Sequence, residues 1–195
     1  IMLQRLPWLK EAASLQGSVD FNGAVSGNLS NPLFTGVLSS NSVIINGEEF
    51  TGLALSIDST GGKINELEGS FQQKSGGDYF LSAHIDLLNH YYQWKAEVER
   101  GNVRSLLQMG GYDLAIDGFL SGTIALNPNG RRTGLAIKGK VEDGKVQGVP
   151  FDSADFDIFG HLGVWHINQL EARENGGGLF AAQGEVAVSY THLTL

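Results

Sequence analysis

The most informative stretch of the chain is residues 45–58, with the sequence Ile45-Asn46-Gly47-Glu48-Glu49-Phe50-Thr51-Gly52-Leu53-Ala54-Leu55-Ser56-Ile57-Asp58. From Leu53 onward, larger apolar side chains alternate with small or polar ones. Successive side chains of a strand point to opposite faces, so this segment has one apolar face and one solvated face. Gly47 favours a tight turn before the strand, because glycine adopts positive φ angles without strain. The stretch predicts a turn and a strand of an antiparallel sheet with one solvated side.

The same alternation recurs along most of the chain, in segments 81–87, 94–99 and 154–158. Pairs and triplets of glycine separate the strand-like runs, as turns with positive φ require, at Gly61-Gly62, Gly76-Gly77, Gly110-Gly111 and Gly176-Gly177-Gly178. Strand patterns recur about every 8–12 residues, as they do in sandwiches, barrels and solenoids. We therefore predict an all-β protein.

Two segments have helical spacing instead. Residues 2–13 place leucines three positions apart, and Pro7 interrupts them, so a helix there is short. Residues 102–109 have similar spacing, with Asn102 as the predicted N-cap and Gly110 just beyond the end. Each short helix precedes a run of strands.

The two halves of the chain share an order of motifs that indicates an internal repeat. The apolar-x-Gly-x-x-Phe motif of residues 45–50 recurs at 146–151, about 100 residues later. Residues 64–68 match residues 167–171 in the same order. We predict four segments, which are a helical lead-in at 1–14, a first β unit at 15–101, a second β unit at 102–187 with its helix at about 102–109, and a tail at 188–195.

The composition excludes several classes of protein. The sequence has 13 basic and 21 acidic side chains, a net charge of −8, no cysteine and a hydrophobic fraction of 42%. Such a fraction supports a folded core, which excludes a disordered chain. Few basic residues in an acidic chain do not fit a nucleic-acid partner, because phosphate binding requires clustered Lys and Arg. Without cysteine there is no disulfide, no thiolate metal site and no cysteine nucleophile.

The two ends of the sequence suggest a fragment. The chain begins with Ile1, and residues 188–195 match a translated sequencing-adaptor scar better than a native strand. We therefore expect any membrane anchor to lie in a segment upstream. The alternative for 188–195 is a genuine last strand, since Val, Tyr and Thr favour strands.

A pattern of regularly spaced glycines resembles that of a known family. It runs through Gly27-Asn28-Leu29-Ser30-Asn31-Pro32-Leu33-Phe34-Thr35-Gly36 and then residues 45–50. Residues 139–156 and 167–170 repeat it, although residues 127–132 depart from it. This pattern resembles that of the AsmA-like superfamily and, within it, of the TamB family with DUF490-type repeats. The resemblance covers about residues 15–187.

The resemblance implies a fold and a place in the cell. The fold would be tandem antiparallel strands that form an extended, U-shaped (β-taco-like) hydrophobic groove, with short helices between repeats. Members lie in the periplasm of a two-membrane envelope, anchored in the inner membrane, here through a missing segment. They are implicated in moving phospholipid between the membranes, and in outer-membrane protein assembly and secretion with an Omp85-type partner.

A sheet curled with its apolar face inward would line such a groove. Exposing an acyl chain to water costs about 0.8 kcal/mol per methylene, and an apolar lining offsets that cost. The predicted lining consists of Val43, Ile45, Leu53, Leu55, Ile57, Leu81, Ile85, Trp94, Val98, Val146, Phe156, Ile158 and Phe180. Alternation fits a closed hydrophobic core as well, and the sequence alone does not separate the two.

No motif predicts a catalytic or metal site. Residues 155–160 resemble the start of a calcium loop but lack its later ligands, and the histidine pairs lack matching carboxylates. We therefore predict a non-enzymatic lipid conduit without a cofactor. Two alternatives stay open, which are a β-solenoid adhesin or surface interaction protein without lipid transfer, and a sandwich-fold carbohydrate-binding or hydrolytic domain.

Overall fold

The computed structural model describes residues 14–28, 31–60, 63–86, 89, 91–109, 111–127, 134–161, 164–174 and 176–187. The predicted helix at 2–13 and the predicted scar at 188–195 lie outside these residues. The elements in chain order are β1 (Leu15–Gly17), β2 (Asp20–Asn28), β3 (Asn31–Ile45), β4 (Glu48–Thr60), β5 (Lys63–Gln73), β6 (Asp78–Asp86), β7 (Tyr91–Asn102), α1 (Val103–Met109), β8 (Ile116–Leu126), β9 (Leu135–Val146), β10 (Val149–His161), β11 (Val164–Arg173) and β12 (Leu179–Ala187).

The described strands form one open antiparallel sheet. Its order follows the chain from β3 to β12, and each strand pairs with the one before it. β1 and β2 share the remaining edge of β3, with β1 beside residues 43–45 and β2 beside residues 31–39. The all-β prediction is therefore confirmed. None of the described strands belongs to a second sheet packed against this one.

Corresponding hairpins of the two halves have the same turn geometry. Asn46 and Gly47 join β3 to β4 with φ of 49° and 89°. Gln147 and Gly148 join β9 to β10 with φ of 51° and 84°. Positive φ at both central residues is typical of the two-residue type I′ turn, whose twist matches that of paired strands. The predicted turn motif thus forms the same hairpin twice.

Backbone hydrogen bonds around these hairpins also recur at equivalent positions. The Asn46 N–H donates to the Ser14 carbonyl at 2.8 Å, and the Gln147 N–H donates to the Ala115 carbonyl at 2.8 Å. These bonds place the start of β1 beside the first hairpin and the start of β8 beside the second. The two halves of the described sheet therefore share this contact.

A second pair of turns closes the following hairpins in the same way. The Gln73 N–H donates to the Gly77 carbonyl at 2.8 Å, and the Glu174 N–H donates to the Gly178 carbonyl at 2.9 Å. The glycine doublet and triplet predicted as turns therefore do form equivalent turns.

The core lies on one face of the sheet, near one end of the strands. Its buried members come from five strands and are Phe50, Tyr79, Val98, Leu120 and Val141. Aromatic rings converge there, since the ring centres of Phe50 and Phe71 are 5.4 Å apart and those of Phe71 and Tyr79 are 5.1 Å apart.

Helix α1 packs on this core through its apolar side, with Val103, Leu106 and Met109 against the buried cluster. The Asn102 Oδ1 atom accepts a hydrogen bond from the Ser105 N–H at 3.0 Å. Asn102 is thus the N-cap, as predicted, because its side chain satisfies a backbone donor of the first helical turn.

Candidate functional site

A continuous row of apolar residues crosses the whole sheet. Residues directly opposite each other in an antiparallel pair point to the same side, so the strand register defines the row. This central row consists of Phe21, Leu38, Leu55, Gly69, Leu81, Ala96, Ile124, Ile137, Ile158, Ile167 and Gly184. At about 4.8 Å per strand, it extends about 48 Å along the sheet. Its members contain no polar side chain.

Two further rows flank the central row on the same face. The tryptophan row consists of Gly23, Gly36, Ile57, Leu67, Ala83, Trp94, Leu126, Leu135, Gly160, Trp165 and Val186. The tyrosine row consists of Phe71, Tyr79, Val98, Gly122, Gly139, Phe156, Leu170 and Ala182. The three rows together are called the apolar face below. The rows run perpendicular to the strands, from one strand to the next along the sheet.

The opposite side of the sheet, called the polar face, carries most of the charge. One of its rows consists of Ser39, Ala54, Ser70, Phe80, Glu97, Thr123, Lys138, Asp157 and Gln169. Ion pairs bridge side chains on this face, with Lys95 2.6 Å from Glu97 and Lys138 3.2 Å from Asp157. Exposed pairs of this kind add little stability, so the polar face is chiefly a water-facing surface.

The strand register places nine of the thirteen predicted lining residues on the apolar face. Ile85 lies on β6 two positions from Ala83 and therefore points to the same face. Seven others are members of the rows, namely Leu55, Ile57, Leu81, Trp94, Val98, Phe156 and Ile158. Phe180 has the same phase as Ala182 on edge strand β12, and it is 59% exposed.

The other four predicted residues occupy special positions. Val43 lies opposite Phe50 and is 5% exposed, and Ile45 packs against the core cluster. Leu53 lies in a bulge where the β4–β5 register shifts, beside Gly52 with φ of 63°. Val146 ends β9 next to a hairpin and is 44% exposed.

Several apolar-face residues were missed by the sequence analysis. They are Leu38, Leu67, Ile124, Leu126, Leu135, Ile137, Ile167 and Leu170. Alternation in β8 and β9 carries the signal, but Gly122 and Gly139 occupy apolar positions there and weaken the pattern.

Glycines within the rows mark close contacts between strands. A Cβ atom on Gly122 would lie 2.2 Å from the Lys138 carbonyl oxygen, and one on Gly69 would collide with the Ala54 carbonyl. Real Cβ contacts do not come this close, so only glycine fits. Gly23 and Gly36, which face each other, have the same property. These positions lie inside strands, where glycine permits a sharp bend.

Helix α1 lies at one end of the apolar face and has polar contacts at both of its ends. The Asn102 N–H donates to the Gln73 Oε1 atom at 3.0 Å, which connects the helix start to β5. The Asn46 Nδ2 atom donates to the Met109 carbonyl at 2.8 Å, which connects the helix end to the β3–β4 hairpin. The Gln73 side chain is 3% exposed, and its Nε2 atom has no hydrogen-bond partner.

Among the described titratable groups, Asp86 and Tyr79 have the largest pKa shifts. Hydrogen bonds from the Asn89 side chain and from the Lys63 ammonium group lower the pKa of Asp86 to about 2. The Lys63 Nζ atom lies 2.9 Å from an Asp86 oxygen. Burial raises the pKa of Tyr79, whose hydroxyl donates to Gln73 Oε1 at 2.6 Å. Both groups have structural partners that explain their shifts.

Comparisons with protein-family models, curated proteins and solved structures find no match to this chain. Across the described residues, no helix is long and apolar enough to cross a membrane. Within the same ranges, no three His, Asp or Glu side chains are grouped closely enough to hold a metal ion. The class of protein is thus described by its geometry alone, and the described residues form an open all-β sheet with one apolar and one polar face.

Proposed function

We propose that the apolar face binds the acyl chains of phospholipids and forms part of a hydrophobic conduit, without catalysis. The observation that carries this proposal is the continuity of three apolar rows from β2 or β5 to β12 on a single face. A closed core would need a second layer over those rows. Apart from α1, no described element covers them.

The binding free energy that the apolar face offers to an acyl chain suits transport along the face rather than tight binding at one site. A methylene group gains about 0.8 kcal/mol on leaving water, so a whole chain gains several kcal/mol along the rows. From β3 to β12 the central row offers similar Leu, Ile, Ala and Gly positions, and most of them are only half-buried. Binding is then similar at each step. Head groups stay in water at the open side of the sheet.

A U-shaped groove is the shape we infer for this conduit, and two features support it. Glycines inside the strands, such as Gly69 and Gly122, permit a sharp bend of the sheet. The hydrogen bond between Asn46 and Met109 joins the β3–β4 hairpin to the segment before β8, four strands further along the sheet. Because α1 follows β7, this bond connects the helix end across the apolar face to a hairpin three strands away.

Location and partners follow from the family resemblance and are part of the proposal. The conduit would lie in the periplasm, anchored in the inner membrane through a segment outside this sequence. It would carry phospholipid to the outer membrane and act in outer-membrane protein assembly with an Omp85-type partner. The acidic net charge of −8 is consistent with a protein that does not adhere to anionic membrane surfaces.

The adhesin alternative fits the strand pairing less well. A β-solenoid stacks parallel strands from successive coils. All pairs between the described strands are antiparallel, and strands of 9–15 residues make up most of the sheet. The pairing therefore favours the conduit.

A photocrosslinking experiment tests the proposal with matched neighbours. A benzophenone amino acid at Ile137 or Ile158 should capture phospholipid from vesicles of phosphatidylcholine. At Lys138 or Asp157, the adjacent positions on the polar face, it should capture none. Equal labelling of both faces would contradict the assignment of the lipid to the apolar face. Absence of labelling at all four positions would contradict the conduit.

A further inference from the structure

We propose that α1 is a displaceable flap, which covers one end of the apolar face when lipid is absent and yields its place to an acyl chain. The inference rests on the proposed function and adds regulation to the same face. In the closed state, Val103, Leu106 and Met109 occupy the position that hydrocarbon would occupy in the open state.

The first support is what the flap covers. The best-buried residues of the apolar face lie in the cluster beneath α1, with Tyr79 and Val98 each 5% exposed and Leu120 6% exposed. Away from the helix, Ile137 and Ile158 are only half-buried. The helix therefore supplies apolar cover that an acyl chain can replace, since the hydrophobic effect depends on area and not on a specific partner.

The second support is that the flap is weakly held. It has seven residues, and none of them is buried. Isolated helices need about 12–15 residues to be even marginally stable, so α1 depends on its contacts with the sheet. Besides the bonds of its N-cap Asn102, its polar contacts include the hydrogen bond from Asn46 to the Met109 carbonyl and a bidentate ion pair between Arg104 and Asp117, with Nη2 at 2.9 Å and Nε at 2.5 Å from the two carboxylate oxygens. The two side chains of this pair are 49% and 42% exposed, so water weakens their attraction although the pair is bidentate.

The third support is the irregular segment that follows the helix. Gly111 follows with φ of 81°, and residues 112–115 form no helix or strand before β8 begins. Tyr112 and Leu114 in this segment are 53% and 50% exposed. Residues 112–114 can change their backbone angles without breaking a strand pair, while the bond from the Gln147 N–H holds the Ala115 carbonyl at the start of β8, as a hinge requires.

The fourth support is an unpaired polar atom beneath the start of the flap. The Gln73 Oε1 atom accepts from both Tyr79 and Asn102, while its Nε2 atom is buried without a partner. A buried donor without an acceptor raises the free energy of the closed state, because it has lost its hydrogen bonds to water. Lifting the helix would let water reach this atom.

Hydrogen exchange of the α1 amides, measured by mass spectrometry with and without lysophosphatidylcholine below its critical micelle concentration, tests the flap. We expect the lipid to accelerate exchange of these amides while it slows exchange in the strands beneath. The Asn46→Gly variant removes the bond to Met109 and keeps the positive φ of the turn. It should bind the lipid about 2- to 10-fold more tightly, because a larger fraction of molecules is open.

Two further variants separate the flap from other effects. Gln147→Gly changes the equivalent turn position of the second hairpin, whose side chain forms no hydrogen bond to the described residues of α1, and should leave the affinity unchanged. Leu106→Ala weakens the packing of α1 without touching the bond between Asn46 and Ser14, and should raise the affinity as Asn46→Gly does. Unchanged α1 exchange with lipid bound to the strands, or equal affinities of Asn46→Gly and Gln147→Gly, would overturn the flap alone. Failure of every variant to bind the lipid would overturn the conduit as well.

Discussion

Gly122 and Gly139 face each other across β8 and β9 at the centre of the tyrosine row, and a Cβ atom on Gly122 would lie 2.6 Å from the Gly139 Cα atom. The two backbones approach so closely that neither position has room for a side chain. The pair continues the apolar face between Val98 and Phe156 without filling it. The pair therefore allows a close approach of the two strands, whereas its neighbours in the row provide hydrophobic surface.

The Gly122→Val substitution should destabilise the protein because the added side chain meets the Lys138 carbonyl oxygen at 2.2 Å. Forcing the strands apart should lower the free energy of unfolding by about 1–3 kcal/mol. Urea denaturation followed by circular dichroism measures the change.

Gly176→Ala is the matched control for that substitution. A Cβ atom there meets no other atom within 4 Å, and its φ lies outside the range that favours glycine. Its free energy of unfolding should be unchanged or slightly higher, since alanine restricts the unfolded chain. Equal losses in the two variants would show that the close approach at Gly122 does not determine stability.

The second hairpin offers a stabilising change. Gln147 has φ of 51°, where the equivalent residue of the first hairpin is Asn46. Asparagine tolerates this left-handed conformation better than glutamine, and Asn-Gly is the preferred type I′ pair. Gln147→Asn should therefore raise the free energy of unfolding by about 0.5–1 kcal/mol, as measured by urea denaturation.

The reverse change, Asn46→Gln, should cost more than Gln147→Asn gains. Asn46 also accepts a hydrogen bond from the Ser14 N–H at 2.7 Å and donates to Met109. Both bonds depend on its short side chain. A loss of stability in Gln147→Asn would mean that the turn type does not limit the second hairpin.

The sequence predicts the strands well where polar residues separate the apolar ones. The segment 81–87 is an example, because Ser82, His84 and Asp86 mark its other face. β8 and β9 were less visible, since Gly122 and Gly139 stand where apolar side chains are expected. The bulge at Gly52 changes which residues of β4 face the core, and alternation cannot show such a change of phase. Pairing between strands, which makes three rows from separate segments, requires coordinates.

Asp86 should make stability depend on pH in acid. Its folded pKa of about 2 lies below the ordinary value of 3.8, so the carboxylate contributes stability above about pH 4. That contribution is lost as the pH falls from about 4 toward 2, because the unfolded chain then binds a proton at this carboxyl group while the folded state does not. Asp86→Asn should lower the free energy of unfolding at pH 7, and the difference from the parent should shrink across this window. Urea titrations at pH 7, 4, 3 and 2 measure it.

Asp152→Asn serves as the control for the acid titration, because Asp152 is an exposed carboxylate of β10. Its free energy of unfolding should stay close to that of the parent protein, because substitutions of exposed side chains change stability little. Glu49, Glu142 and Asp157 also have lowered pKa values, and they remain in both proteins. A difference for Asp86→Asn that is constant from pH 7 to pH 2 would contradict the role assigned to its hydrogen bonds with Asn89 and Lys63.

Two tryptophans provide an intrinsic probe of the apolar face. Trp94 and Trp165 belong to the same row, and Leu126, Leu135 and Gly160 lie between them. Both side chains are half-buried. An acyl chain that follows the row would contact both indole rings, although they belong to strands far apart in sequence.

Phosphatidylcholine with brominated acyl chains should therefore quench the fluorescence of Trp94 and Trp165 in a Trp8→Phe background, since bromine quenches on contact. Trp94→Phe and Trp165→Phe each leave one reporter, and both reporters should respond at the same lipid concentration. A single tryptophan introduced by Ser82→Trp on the polar face, with the three native ones replaced by Phe, should stay bright because Ser82 belongs to the row of Glu68 and Lys95. Quenching of Ser82→Trp alone would place the lipid on the wrong side of the sheet.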